Sequence, residues 1–177
     1  MTARNISVTL ASLIAITLST AQFARSESGI RQTLKDLDHQ AQVVAEDADE
    51  LSQLSWDTLN GPDAHLARLN AVKAEVNRMA DEVNRLQAER TALAPWERET
   101  LDKTLPLVND AALEAGNAIR YFDANRSLLW TGKYREYTND IHKDSQQIAR
   151  TLGTYLKYER VSDEARHMKH MLGTPTD

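Results

Sequence analysis

The chain has no cysteine. That single absence excludes a disulfide framework, thiol catalysis and thiolate-bound metal together. There is also no excess of positive charge: the formal net charge is −5 at pH 7. Nucleic acid and anionic membrane reward basic patches, so neither is an expected partner. A Gly-rich phosphate loop, a nucleophile elbow, a His-Glu-x-x-His zinc spacing and a Cys-x-x-Cys-His haem attachment are all missing.

The N-terminus is apolar and nearly uncharged. Residues 1–21 read as a secretory signal peptide: Arg4 is the positive n-region, Ile6 to Leu18 the h-region, and Ser19-Thr20-Ala21 a small-x-small cleavage site. Ala24 offers a second cut. A retained membrane anchor is the rival reading, since Asn5 to Ala24 carries no charge. Ser and Thr dilute that stretch, however, and a spanning helix needs ~20 predominantly apolar residues. No Cys follows the h-region, so a lipidated N-terminal Cys is excluded. The expected localisation is extracytoplasmic, periplasmic or secreted, with membrane contact only if the first segment is kept.

What the chain does have is heptad spacing. Apolar residues recur at alternating steps of three and four in four stretches: Ile30, Leu34, Leu37, Ala41, Val44, Ala48, Leu51; Leu69, Val72, Val76, Met79, Val83, Leu86; Leu101, Leu105, Val108, Ala112, Ala115, Ile119, Phe122; and Tyr134, Ile141, Ile148, Leu152, Tyr155. Such a rhythm gives each helix one apolar stripe and leaves the rest to water. The breaks are short. Asn60-Gly61-Pro62 suits a left-handed glycine stop followed by a proline start. Ala94-Pro95 resets the chain, with Glu97 and Glu99 at the positive end of the next helix dipole. Thr131 is the expected N-cap of the last helix. The expected fold is all-α, an antiparallel up-down-up-down four-helix bundle following the signal peptide. Its helices span about 27–59, 62–93, 95–129 and 132–172, before a disordered tail at 174–177. Pro106 falls inside the third helix and predicts a kink. The fourth helix outruns its partners through Tyr158, Val161, Ala165, Met168 and Leu172 by roughly 12 Å at 1.5 Å per residue.

Laying the stripes together leaves the central layers without Asp, Glu or His, so the interior offers little chemistry. Glu164-x-x-His167 has the spacing of half a di-metal site, but no second half and no inward carboxylates complete it. No metal and no cofactor is expected. Arg90 and Glu159 share a terminal layer and read as a structural ion pair setting the register. At the other end His65, Arg126 and Tyr134 share a layer, with Trp56, Tyr121, Trp130 and Tyr137 near them. Trp56, His65, Arg126, Trp130 and Tyr134 therefore form the candidate ligand-binding end. The competing reading is that these aromatics simply plug an open bundle.

Leu54-Ser55-Trp56, Ala64-His65-Leu66-Ala67-Arg68-Leu69-Asn70, Ala94-Pro95-Trp96-Glu97 and Tyr134-Arg135-Glu136-Tyr137 resemble a family of exported bacterial helical-bundle proteins with no assigned activity. The resemblance covers about residues 50–160. It implies an extracytoplasmic helical bundle in a bacterium and carries no functional residues. Periplasmic helical stress chaperones are similar in size, but their repeated Leu-Thr-x-x-Gln element is absent here. The expectation is a non-enzymatic exported bundle acting through protein–protein contacts, with a partner protein or by self-association. A small-molecule sensor or carrier using the aromatic end is the alternative.

Overall fold

A computed structural model describes residues 15–55, 61–129 and 131–173, with the backbone alone over 15–28. Among them the chain is all-helical, with no strand. The helices are α1 (Ala15–Leu54), α2 (Pro62–Ala88), α3 (Pro95–Ala124) and α4 (Gly132–Met171), and a 3-10 turn spans Arg90–Ala92. Residues 1–14 of the expected leader and the 174–177 tail lie outside the described residues. No helix among the described residues is long and apolar enough to cross a membrane.

The stripes of α1 and α2 are the buried rows, as is that of α4 from Tyr134 to Leu152; the expected Tyr155 lies half-buried at the edge, where its hydroxyl accepts from Lys103 at 2.7 Å, and Leu156 packs against the core instead. Leu37, Val44 and Leu51 of α1 lie in one core with Val72 and Met79 of α2 and Ile141 and Ile148 of α4. Burying that much apolar surface is the main term holding such a fold. α1 packs against α2 and α4, and α3 packs against the same two, so the four close into a ring. Polar ties mark the seams. Arg85 Nη2 donates to Thr33 Oγ1 at 3.0 Å, Gln40 Nε2 to Glu82 Oε1 at 3.1 Å, and Arg68 Nη1 to Asp47 Oδ1 at 2.6 Å across α1 and α2. Between α1 and α4, Ser52 Oγ donates to Asn139 Oδ1 at 2.9 Å and His142 Nδ1 bonds the Ala45 carbonyl at 2.8 Å.

α3 departs from its expected stripe. Its buried row is Glu97, Leu101, Thr104, Val108, Ala111, Ala115, Ala118 and Phe122, whereas Leu105, Ala112 and Ile119 sit half-buried beside the core. The inward positions are the smaller ones. Thr104 tolerates burial because its hydroxyl donates to the Thr100 carbonyl at 3.0 Å, leaving its methyl for the core. The helix continues through Pro106.

The breaks also differ in detail. Gly61 is not left-handed: at φ −72° and ψ 165° it is the extended N-cap of α2. Pro62 forbids helical geometry to the residue before it, which explains the choice. Among the described residues the left-handed glycine is Gly173, at φ 65°, just past α4. α2 ends at Ala88 rather than Leu93, and α3 ends at Ala124 rather than Leu129. Glu97 turns back to accept the Ala94 N–H at 2.7 Å, closing the start of α3 behind Pro95. Thr131 does occupy the N-cap position of α4, but its hydroxyl goes to the Tyr121 phenol at 2.7 Å instead of to the helix.

Candidate functional site

At the aromatic end, two of the five expected residues meet. His65 opens α2 and Tyr134 opens α4, and their rings touch edge to face, 5.5 Å between centroids and 67° apart. Tyr121 of α3 lies 6.3 Å from Tyr134 and 6.2 Å from Tyr137, extending the stack to the surface. His65 is 3% exposed and Tyr134 is fully buried. Both carry a polar atom to bury, and neither the His65 Nδ1 nor the Tyr134 hydroxyl finds a hydrogen-bond partner. Burial lowers the His65 pKa and raises that of Tyr134, so near neutral pH both rings are uncharged.

Arg126 is not part of this pair. It follows the end of α3, stands exposed, stacks its guanidinium 5.2 Å over the Phe122 ring and lies 3.8 Å from Asp123. Trp56 and Trp130 lie outside the described residues. Among the described residues the end is thus a plug of rings that buries two polar atoms without partners.

The expected Arg90–Glu159 pair does not form. Because α2 stops at Ala88, Arg90 falls in the 3-10 turn and swings to α3, where its fork meets both Asp102 oxygens at 2.6 and 2.8 Å. Glu159 pairs instead with Arg31 of α1, which also lies 3.6 Å from Asp163. These groups border a groove of about 550 Å³ between α1 and α4 that also includes Asp38 and Gly153. Burial raises the Glu159 pKa, and its hydrogen bond to Asp163 raises it further, while Arg31 opposes both. Asp163 is held low, chiefly by that same bond and then by Arg166. Burial also raises Asp38, whose Oδ1 is buried without a partner while Oδ2 accepts from Gln42 at 3.1 Å. Of its cations, Arg31 meets Glu159 and Asp163, and Arg160 lies 4.0 Å from Glu164.

A second groove, about 620 Å³, runs between α1 and α2 along Glu50, Leu54, Ala64, Ala67, Arg68 and Ala71. The Ala64, Ala67, Ala71 row, spaced for one helix face, is the sequence signal that could have found it. Its one cation, Arg68, is already clamped by Asp47 and Glu50. Among the described residues, no three His, Cys, Asp or Glu side chains are placed to hold a metal ion. Glu164 and His167 are exposed, with Arg160 4.0 Å from Glu164.

A run of exposed apolar side chains lies elsewhere, on the last turns of α4. Tyr158, Val161, Met168, Met171 and Leu172 are each more than half exposed. No family model, curated protein or solved structure matches this chain.

Proposed function

We propose that this protein is an exported, non-enzymatic helical bundle that works through protein–protein contacts in the cell envelope. In this reading residues 1–21 are a cleaved signal peptide and the helices run up-down-up-down, each antiparallel to the next. The alternating numbering across the α1–α2 and α1–α4 ties supports that topology. One observation carries the functional reading: a row of exposed apolar side chains ends α4, where a solvated helix should be polar. The interior supports it from the other side, since the buried residues form one continuous apolar cluster. The test is cross-linking in the envelope fraction, with the intact chain against one truncated after Val161. A cross-linked species that truncation abolishes is expected; an uncross-linked chain in both cases overturns the reading.

The buried Tyr134 hydroxyl and His65 Nδ1 favour a second reading, a carrier or sensor for a small neutral hydrogen-bonding molecule. In that case intrinsic Trp fluorescence responds to such a molecule, and Tyr134→Phe abolishes the response while helicity stays. A library of neutral metabolites producing no response rules it out.

A further inference from the structure

We infer that the end of α4 is a homodimerisation seam, a short parallel two-stranded coiled coil between two copies of this chain. The inference rests on the protein-contact reading above and names its partner. α4 turns two different faces to its surroundings along its length. The row that packs into the bundle through Ile148 and Leu152 continues as Glu159, Asp163 and Arg166, which meet Arg31 and one another. The apolar row Tyr158, Val161, Ala165, Met168, Leu172 lies about 140° around the helix from it, at 100° per residue. Over the body of the bundle that outward face is polar, as the exposed Lys143, Gln147 and Thr154 show. The apolar row therefore begins where α4 leaves the bundle, and it points away from α1.

Its spacing selects the partner. Tyr158, Ala165 and Leu172 take the a positions of a heptad, and Val161 and Met168 take d. Met171 adds an exposed apolar side chain at the flanking g position, and a seam centred on a and d matches a partner helix. Charge selects the orientation. Glu164 is then at g and Lys169 at the following e, so a parallel pair sets Glu164 of each copy against Lys169 of the other. An antiparallel pair centred on Ala165 would bring the two Glu164 side chains together. The bundle bodies lie on the far sides of the two α4 helices and do not obstruct the contact.

The experiment is sedimentation equilibrium of the full chain across a concentration series, with circular dichroism as the folding control. The expected result is a concentration-dependent dimer that Val161→Glu with Met168→Glu converts to monomer at unchanged helicity. Glu164→Lys should weaken the dimer roughly three- to tenfold, as expected for two exposed pairs, and adding Lys169→Glu should restore it. A dimer indifferent to all these changes overturns the proposal, as does one weakened by Glu164→Lys but not rescued by the swap. A monomer at every concentration overturns it too; if truncation-sensitive cross-links persist in the envelope, the protein-contact reading stands without it, and otherwise both fall. A monomer that co-sediments with phosphatidylethanolamine–phosphatidylglycerol vesicles through the same residues would make the row a membrane face and end the proposal.

Discussion

α4 contains two helices' worth of instruction in one uninterrupted segment. From Tyr134 to Leu152 its inward row is Tyr134, Thr138, Ile141, Ser145, Ile148 and Leu152, all fully buried. From Glu159 onward the row facing α1 is ionic, and apolar side chains have moved to the opposite face. The first part supplies its stability through area removed from water. In the second part the inward contacts are charge pairs of small net value, and the apolar area stays in water until something covers it. One helix thus separates folding from association along its own axis. Substitutions in the two parts should therefore move different measurements.

The sharpest contrast uses one residue type. Met79 is fully buried in α2, and Met168 is more than half exposed in α4. Met79→Ala should cost about 2–5 kcal/mol of unfolding free energy in a denaturant titration, as a buried cavity does. Met168→Ala should change the monomer by less than about 0.5 kcal/mol while weakening association. Equal costs at the two positions would erase the distinction between body and end.

Arg31 tests the junction. It is the α1 cation on Glu159, which is almost wholly buried, while Arg31 itself is one-third exposed. Arg31→Met leaves the carboxyl without its counter-charge, and with solvent screening the expected loss is about 1–2 kcal/mol at pH 7. Glu159 then keeps the two influences that raise its pKa, burial and Asp163, and loses the larger of the two charges that lower it, leaving only Lys35. A group raised on folding contributes stability that falls as pH climbs through its folded value. The variant should therefore recover part of its loss between neutral pH and pH 5. A flat difference across that window would show the pair to be idle.

Tyr134→Phe is expected to stabilise, by about 1 kcal/mol, because it deletes a buried hydroxyl that has no partner. The same end gives a pH signature. His65 has its pKa lowered by burial, so the unfolded chain takes up protons first as the solution is acidified. Stability tied to His65 is complete above its unfolded pKa near 6.5 and is lost as pH falls below it. His65→Phe should flatten that slope in thermal melts at pH 7.5 and 5.5. A destabilised Tyr134→Phe would mean that the hydroxyl has a partner in solution.

Much of this was legible in the periodicity, and the errors share one cause. α1 and α2 read correctly because their inward positions are also their most apolar ones, Leu37 and Met79 among them, and α4 reads correctly as far as Leu152, beyond which Leu156 and not Tyr155 packs on the core. α3 breaks that equivalence: at 104 against 105 and at 118 against 119, the smaller residue points inward and the larger lies at the flank. Hydropathy ranks Leu105 above Thr104, but a threonine whose hydroxyl bonds its own helix packs as a small apolar group. Arg90 was misplaced for a related reason. A heptad frame carried past Ala88 keeps it on the stripe, whereas the tighter 3-10 turn rotates it to Asp102. Arg126 likewise left the frame when α3 ended at Ala124. Of the described residues of the candidate ligand end, His65 and Tyr134 belong to regular helix and meet, whereas Arg126 lies past the end of α3. Phase persists only while the helix does.

The smallest expected effect lies where the ionic seam of α4 begins. Gly153 is in the interior of α4, where glycine costs about 1 kcal/mol relative to alanine. A Cβ added there would meet Asp38 Oδ1 at 3.8 Å, an ordinary van der Waals distance. Gly153→Ala should therefore gain the helix propensity and lose some of it again, since a methyl group against an unpartnered carboxylate oxygen removes more water from it. The net gain should be about 0.5 kcal/mol at pH 7. Asp38 already has its pKa raised by burial, and the methyl should raise it further. A group raised on folding stabilises most when protonated, so the advantage of the alanine variant should grow as pH falls towards 4. The comparison is made by urea titration of both proteins at the two pH values. An advantage that shrinks on acidification would mean that Asp38 is solvated, and that the α1–α4 groove is open to water along its whole length.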